Sequence, residues 1–366
     1  MNIVFLIGGL QKGGAERVVV NLSNYLASKH NVTILTLSNK TSAYPLDERV
    51  RWSSLDGGQK SRAFIIRNMC RFIRLIRWFK KADEDIYVAF LPVTSYILLV
   101  LKRWFRAAIV VSVRSNPKQL GKKAIHRYCM ELLFPRADGI VFQTQEARAY
   151  FPKCLQEKSV VIPNPVNMDL KNISKHTRKK QVVSVGRLEK MKNFELLIRA
   201  MYKVWEEPIF KEYQLIIYGE GSQRPYLEDL IKELKIEDRV HLPGICDNLE
   251  AQICDAALFA FSSRYEGMPN ALLEAMTLGL PVVSTKFTGG AAEYLIQNGQ
   301  NGLLVNDDID EMANEIKRVL SSPELAEGLG KEARKIGDTL SIDIIGDRWE
   351  RYLETILSCT KGQRRI

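Results

Sequence analysis

Residues 256–285 read AALFAFSSRYEGMPNALLEAMTLGLPVVST. AALFAFSS (256–263) is a short apolar run, and PVVST (281–285) is a second with β-branched residues. Between them a polar loop ends at Pro269–Asn270, and the residues that follow carry apolar side chains at helical spacing. Strand, loop, helix and strand in that order form the repeating unit of a parallel sheet, because parallel neighbours need a crossover connection. Two acids punctuate the unit: Glu266 in the loop after the first strand, and Glu274 inside the helix.

The same alternation runs outward in both directions. QVVSVG (181–186), YQLIIYG (213–219), RVHLPG (239–244) and NGLLV (301–305) are further strands, separated by helical stretches near 194–205, 223–236, 270–278 and 308–320. An earlier set holds NIVFLIGG (2–9), NVTILTLS (31–38), IYVAFL (86–91), AAIVVSV (107–113) and DGIVFQT (138–144), with a helix over AERVVVNLSNYLAS (15–28). The expected architecture is α/β, with two Rossmann-like, doubly wound domains over 1–165 and 166–340. The break falls in VIPNPVN (161–167), where Pro163 and Pro165 flank Asn164 and forbid a central strand or helix. KNISKHTRKKQ (171–181) reads as an exposed polar loop. The amphipathic helix over 341–357, reaching towards 359, carries Trp349 and Tyr352; it either caps the second domain or crosses back onto the first.

Composition narrows the class. The chain has 366 residues, 46% hydrophobic and 26% charged, which excludes fibrous and disordered proteins. The longest apolar run, IYVAFLPVTSYILLVL (86–101), is too short to span a bilayer and is interrupted by Pro92. The start MNIVFLIGG lacks a cationic leader, so no signal peptide is expected. The cysteines form no CxxC pair and the four histidines are scattered, which points to reduced thiols, a cytoplasmic setting and no metal site. Charge is uneven: residues 1–165 carry a net +15, and residues 166–366 a net −4. A basic half anticipates an anionic surface or ligand.

Several residues stand where a ligand of such sheets binds. GGLQKGGAERVV (8–19) places Gly13 and Gly14 at a strand-to-helix turn, a spacing that is not GxGxxG and that sterics alone can explain. VGRLEKMKN (185–193) places Arg187 and Lys192 directly after the first strand of the second sheet. An arginine can grip two phosphate oxygens, and lysine adds a mobile charge. The bland alternative is a solvated loop with Glu189 as partner. Glu266 lies at a strand's carboxyl end, facing the helix start at Pro269–Asn270. Acids accept from hydroxyls and cations bind phosphate, so a nucleotide sugar would satisfy the whole set.

EGMPNALLEA (266–275) resembles the E-x7-E motif of the family 4 glycosyltransferases, which have the GT-B fold of two Rossmann-like domains facing across a cleft. VGRLEKMKN resembles that family's Arg-x4-Lys diphosphate clamp, GGAERVV (13–19) its glycine-rich loop, IPNPVN (162–167) its interdomain segment, and FTGGAAEYLIQNGQNGLLV (287–305) its glycine-pair loop. The ordered set covers nearly the whole chain. The resemblance implies that Glu266 contacts hydroxyls of the transferred sugar and Glu274 holds the donor ribose. Arg187 and Lys192 would neutralise the departing diphosphate, helped by Gly14 and the backbone at Gly290–Ala291. Gly267, Met268, Pro269, Asn270 and Gly244 complete the donor side; Gly13, Glu16, Arg114 and Asn116 belong to the acceptor side. It further implies retention of anomeric configuration, with no DxD-type metal site, no metal and no other cofactor. A UDP-linked hexose or N-acetylhexosamine is the expected donor, ahead of GDP-mannose. One departure stands out: SVRSNP (112–117) has Arg114 where members often carry histidine. Arginine cannot act as a base, so it is expected to meet a phosphate or the acceptor.

KSRAFIIRNMCRFIRLIRWFKK (60–81) contains no acid. Arg67, Arg71, Arg74 and Lys81 share one helical face, with Ile65, Met69, Phe72, Ile73, Ile76 and Phe79 on the other. Such a helix suits the interface of an anionic membrane; the alternative is a core helix with a solvated basic face. The expectation is peripheral attachment at the cytoplasmic leaflet, with a polyprenyl-diphosphate-linked sugar as acceptor. Rival readings are an epimerase or hydrolase of the same fold, a basic nucleic-acid-binding protein, and a pseudoenzyme. The paired acids and glycine loops leave the nucleic-acid reading unsupported, so no nucleic-acid partner is expected. The sequence carries no signal for oligomeric state.

Overall fold

The computed structural model describes residues 1–38, 41–56, 64–81, 83–104, 106–168 and 178–363, without the side chains of 64–69, 80–81 and 361–363. Arg67 and Lys81 therefore lie outside the described side chains, as does most of the loop 171–181. Two compact units emerge: Met1–Pro165 together with Ser341–Ile366, and Val166–Leu340.

In the first unit the described strands are β1 (Asn2–Ile7), β2 (Asn31–Thr36), β3 (Arg51–Ser54), β4 (Ile86–Phe90), β5 (Ala108–Ser112), β6 (Gly139–Phe142) and β7 (Ser159–Val161). They form one sheet in the order β3-β2-β1-β4-β5-β6-β7, and every pairing is parallel. The second unit holds β8 (Lys179–Val185), β9 (Gln214–Tyr218), β10 (Val240–Gly244), β11 (Ala256–Phe261), β12 (Val282–Thr285) and β13 (Leu303–Val305). Their order is β10-β9-β8-β11-β12-β13, again all parallel.

The central strands are apolar along their length because helices cover both faces. Phe5, for example, pairs between Ile34 and Val88, and all three side chains are fully buried. β3 and β7, at the two edges, have no such run: RWSS and SVV are exposed or half-buried, and the sequence pattern does not reveal them.

The helix Ile342–Gln363 belongs to the first unit, which settles the open choice for this segment. Trp349 is fully buried and stacks on Phe90 with ring centroids 6.0 Å apart. The Tyr352 hydroxyl accepts from the Ile140 N–H at 2.9 Å and donates to the Lys158 carbonyl at 2.8 Å. A Cβ on Gly139 would fall 2.6 Å from that hydroxyl, so glycine is what lets the tyrosine reach the sheet. No described helix is long and apolar enough to cross a membrane.

Each sheet has one place where the winding reverses: between β1 and β4 in the first, and between β8 and β11 in the second. Loops that leave the carboxyl ends of such a pair diverge and leave a crevice, where ligands of doubly wound sheets bind.

Candidate active site

The reversal point of the second sheet collects the acids and cations singled out above. β8 ends at Val185, and residues 186–193 form the loop to the helix Phe194–Val204. A Cβ on Gly186 would lie 3.2 Å from Lys192 Cε, so the glycine clears a path for the lysine stem. Arg187 is exposed, and among the described residues no ion pair or side-chain hydrogen bond engages it. Glu189 is not its partner; that carboxylate accepts from Ser222 Oγ at 2.9 Å.

β11 ends at Phe261, and its loop meets the first one. Lys192 Nζ stands 2.5 Å from Glu266 Oε1, with side-chain exposures of 14% and 11%. Ser263 Oγ donates to the same carboxylate oxygen at 2.8 Å. The ammonium also lies 5.2 Å from the Phe261 ring centroid, on a cation–π contact. Ser262 Oγ donates to the Lys192 carbonyl at 2.8 Å, and the Arg264 N–H to the Met191 carbonyl at 2.9 Å. Backbone and side chains thus hold the two loops in one register.

The remaining residues expected on the donor side lie on other loops of the second unit and one helix. Gly267, Met268 and Pro269 lead into the helix Asn270–Thr277, on which Glu274 is buried to 7% exposure. Gly244 closes β10 with φ +86 and accepts from the Gly219 N–H at 2.8 Å. Gly290, at φ +76, opens the short helix Ala291–Leu295 after β12. A non-glycine residue would be strained at either position. The arrangement joins a carboxylate, which can accept from hydroxyls, directly to an ammonium, which can bind phosphate.

Gly13, Glu16, Arg114 and Asn116, expected on the acceptor side, sit in the first unit. Gly13 caps the helix Gly14–Leu26, and its N–H donates to Tyr44 Oη at 3.0 Å. A Cβ on Gly13 would fall 2.2 Å from Glu16 Oε2, so the glutamate folds back over the helix start. Asn116 caps the turn Pro117–Leu120 through the Lys118 N–H at 3.0 Å.

Arg114 is engaged by neighbours within the first unit. Its guanidinium packs over Phe90 at 4.7 Å and Trp349 at 5.4 Å. It donates to Ser112 Oγ at 2.7 Å and to Asn164 Oδ1 at 2.9 Å, and Nη2 is buried with no partner among the described residues. Burial pushes its pKa down to about 9, which still leaves it cationic at neutral pH. The cause is that aromatic faces and neutral oxygens surround it.

The basic face of the helix Phe64–Lys81 is also corrected in part. Arg71 pairs with Asp56 at 2.9 Å and Arg74 donates to the Leu55 carbonyl at 2.9 Å. Arg71, Leu75 and Phe79 are spaced i, i+4, i+8, so the arginine shares the stripe whose other two members are buried. Phe72 and Ile73, at 38% and 43% exposure, face outward instead, and Phe72 meets Trp104 edge to face at 6.2 Å.

A cavity of about 610 Å³ in the first unit is lined by Asn2, Asn31 and Arg51, the first residues of β1, β2 and β3. It lies by the amino ends of β1 and β2, away from the reversal point, and does not mark the site.

Sequence reading missed three residues around the Lys192–Glu266 pair: Asn193, Arg264 and Asp307. Asn193 had one available signal, since asparagine tolerates the left-handed φ of +52 that it adopts.

The family model for glycosyl transferases group 1 matches residues 167–336, and that for glycosyltransferase family 4 matches residues 12–170. A Campylobacter jejuni protein, GalNAc-alpha-(1->4)-GalNAc-alpha-(1->3)-diNAcBac-PP-undecaprenol alpha-1,4-N-acetyl-D-galactosaminyltransferase, is 26% identical over 97% of this chain and 99% of its own. A second from that organism, N-acetylgalactosamine-N,N'-diacetylbacillosaminyl-diphospho-undecaprenol 4-alpha-N-acetylgalactosaminyltransferase, is 28% identical over 90% of this chain and 92% of its own. Among solved structures, Anabaena HepE in complex with UDP and glucose superposes with a TM-score of 0.81 at 19% identity, covering 97% of this chain and 100% of that one. At that identity the likeness shows the fold.

Proposed function

The chain belongs to glycosyltransferase family 4, as an enzyme of the GT-B fold, and on that premise we propose that it moves a hexose or N-acetylhexosamine from a UDP-linked donor to a polyprenyl-diphosphate-linked sugar. The second unit holds the donor and the first the acceptor. The observation that carries the reading is the Lys192–Glu266 pair at the β8/β11 reversal point, with Arg187 exposed on the same loop. Glu274 accepts from the ribose hydroxyls and Glu266 from a hydroxyl of the transferred sugar. Arg187 grips the diphosphate in a fork, while Lys192 exchanges the Glu266 oxygen for a phosphate oxygen. As the sugar–phosphate bond breaks, charge develops on the leaving diphosphate. Fixed cations that meet this charge lower the barrier. The two cations take the role that a metal ion has elsewhere, so turnover is expected to be indifferent to chelator. The anomeric configuration is retained.

The acceptor class is supported by the two Campylobacter relatives, whose names state undecaprenyl-diphosphate-linked acceptors, and the uridine nucleotide by the HepE complexes. The pathway is the synthesis of a surface polysaccharide or glycan precursor, at the cytoplasmic face of the membrane. Attachment there is peripheral, through the basic first unit and its outward Phe72, Ile73 and Trp104.

A thermal-shift screen of UDP, GDP and ADP sugars tests the donor. A ligand at a hundred times its dissociation constant adds about 2.7 kcal/mol of stability. A response to UDP sugars alone agrees with the reading; a response to GDP or ADP sugars alone overturns the base assignment.

A further inference from the structure

Asp307 follows β13 and touches both loops that carry the Lys192–Glu266 pair. Asn193 Nδ2 donates to Asp307 Oδ1 at 2.7 Å, and Arg264 Nε donates to Asp307 Oδ2 at 2.9 Å. Asn193 directly follows Lys192, and Arg264 lies two residues before Glu266. One carboxylate therefore ties the loop after β8 to the loop after β11, from a third loop.

Asp307 is itself held on both sides. The Asn306 N–H and Nδ2 donate to the Glu311 carboxylate, each at 2.8 Å. Asp308 caps the helix Ile309–Ser321 by accepting from the Glu311 N–H at 2.9 Å. The fourth neighbouring loop joins too: the Thr288 N–H donates to the Arg264 carbonyl, and the Glu266 N–H to the Thr288 carbonyl, both at 3.1 Å. Asp307 and Arg264 are about half exposed, and ion pairs of that kind contribute little to stability. A group worth so little to stability yet bonded to both site loops is suited to fixing geometry.

We propose that Asp307 is a positioning residue for the donor site: through Asn193 and Arg264 it sets the separation of the Lys192 ammonium and the Glu266 carboxylate. The inference rests on the donor-site reading above.

Calorimetric titration of the full-length protein with UDP tests it, using Asp307→Ala, Asn193→Gly and the double variant. Glycine at 193 keeps the left-handed backbone and removes only the amide, so a lost cap or strained turn is not confounded with the lost link. Each single variant is expected to weaken UDP about tenfold, the effect of one charge-assisted hydrogen bond. The double variant should be no weaker than Asp307→Ala. Wild-type affinity in either single variant, or strictly multiplicative effects in the double, overturns the proposal. Failure of the wild-type protein to bind UDP counts against the donor reading, and amide exchange then decides the positioning role. Faster exchange of residues 187–193 and 262–268 in Asp307→Ala upholds it; unchanged exchange overturns it.

Discussion

The Lys192 ammonium lies 2.5 Å from the Glu266 carboxylate and joins the loop after β8 to the loop after β11. Both side chains are largely buried, so each is the other's principal counter-charge. Lys192→Ala leaves Glu266 with Ser263 as its remaining hydrogen-bond donor, at a cost of about 1–3 kcal/mol. Adding Glu266→Ala removes the stranded charge, so the double variant is expected to unfold at a higher temperature than the sum of the single effects predicts. Turnover should fall by about 10²–10³ in Lys192→Ala, through loss of the cation that meets the leaving group. Scanning calorimetry and a transfer assay read the two effects separately.

Trp349 supplies one of the two rings that enclose the Arg114 guanidinium. Trp349→Ala should destabilise the first unit by about 3–5 kcal/mol, the range for a large buried aromatic. The melting transition of the second unit should stay in place, since that unit has its own core. Two resolved calorimetric transitions, only one of them shifted, are the expected record.

Tyr352 gives a pH dependence with a defined sign. Burial pushes its pKa from 10.0 up to about 12. Between those values the unfolded chain has lost the phenolic proton while the folded unit keeps it. The folded state then binds more protons, so stability falls as pH rises. The contribution is fully present below pH 10 and is lost as pH passes through about 12. Denaturation curves at pH 9 and pH 11 should show a smaller loss in Tyr352→Phe than in the wild-type protein.

On the membrane reading, Phe72, Ile73 and Trp104 make the contact. Replacing all three by glutamate should abolish sedimentation with anionic vesicles without lowering the melting temperature. Arg71→Glu should instead lower that temperature, because it breaks the pair with Asp56. Unchanged vesicle binding by the triple variant would remove these residues from the interface.

Much of this was legible in the residues. Strands buried on both faces show as unbroken apolar runs, which is why β1, β4, β5 and β11 could be read directly. The strand–loop–helix alternation placed Arg187, Lys192 and Glu266 in loops after strands, and Glu274 inside the helix that follows. Edge strands β3 and β7 were not, since a strand with one partner and an exposed face needs no apolar run. Helical periodicity identified two faces of the helix Phe64–Lys81 but not which one packs; Leu75 and Phe79 settle that by carrying Arg71 inward with them. The packing around Arg114 was not legible because two of its partners, Asn164 and Trp349, are distant in sequence. Asp307 was invisible for the same reason: Asn193 lies more than a hundred residues away.

The central claim is that the second unit binds a uridine diphosphate sugar through Arg187 and Lys192. Titration of UDP into the wild-type protein and into the Arg187→Ala, Lys192→Ala double variant, at fixed ionic strength, tests it most directly. The account predicts saturable, one-site binding by the wild-type protein and an affinity at least a hundredfold weaker in the variant, about 2.7 kcal/mol for two charged contacts. Equal affinity in the two proteins would contradict it.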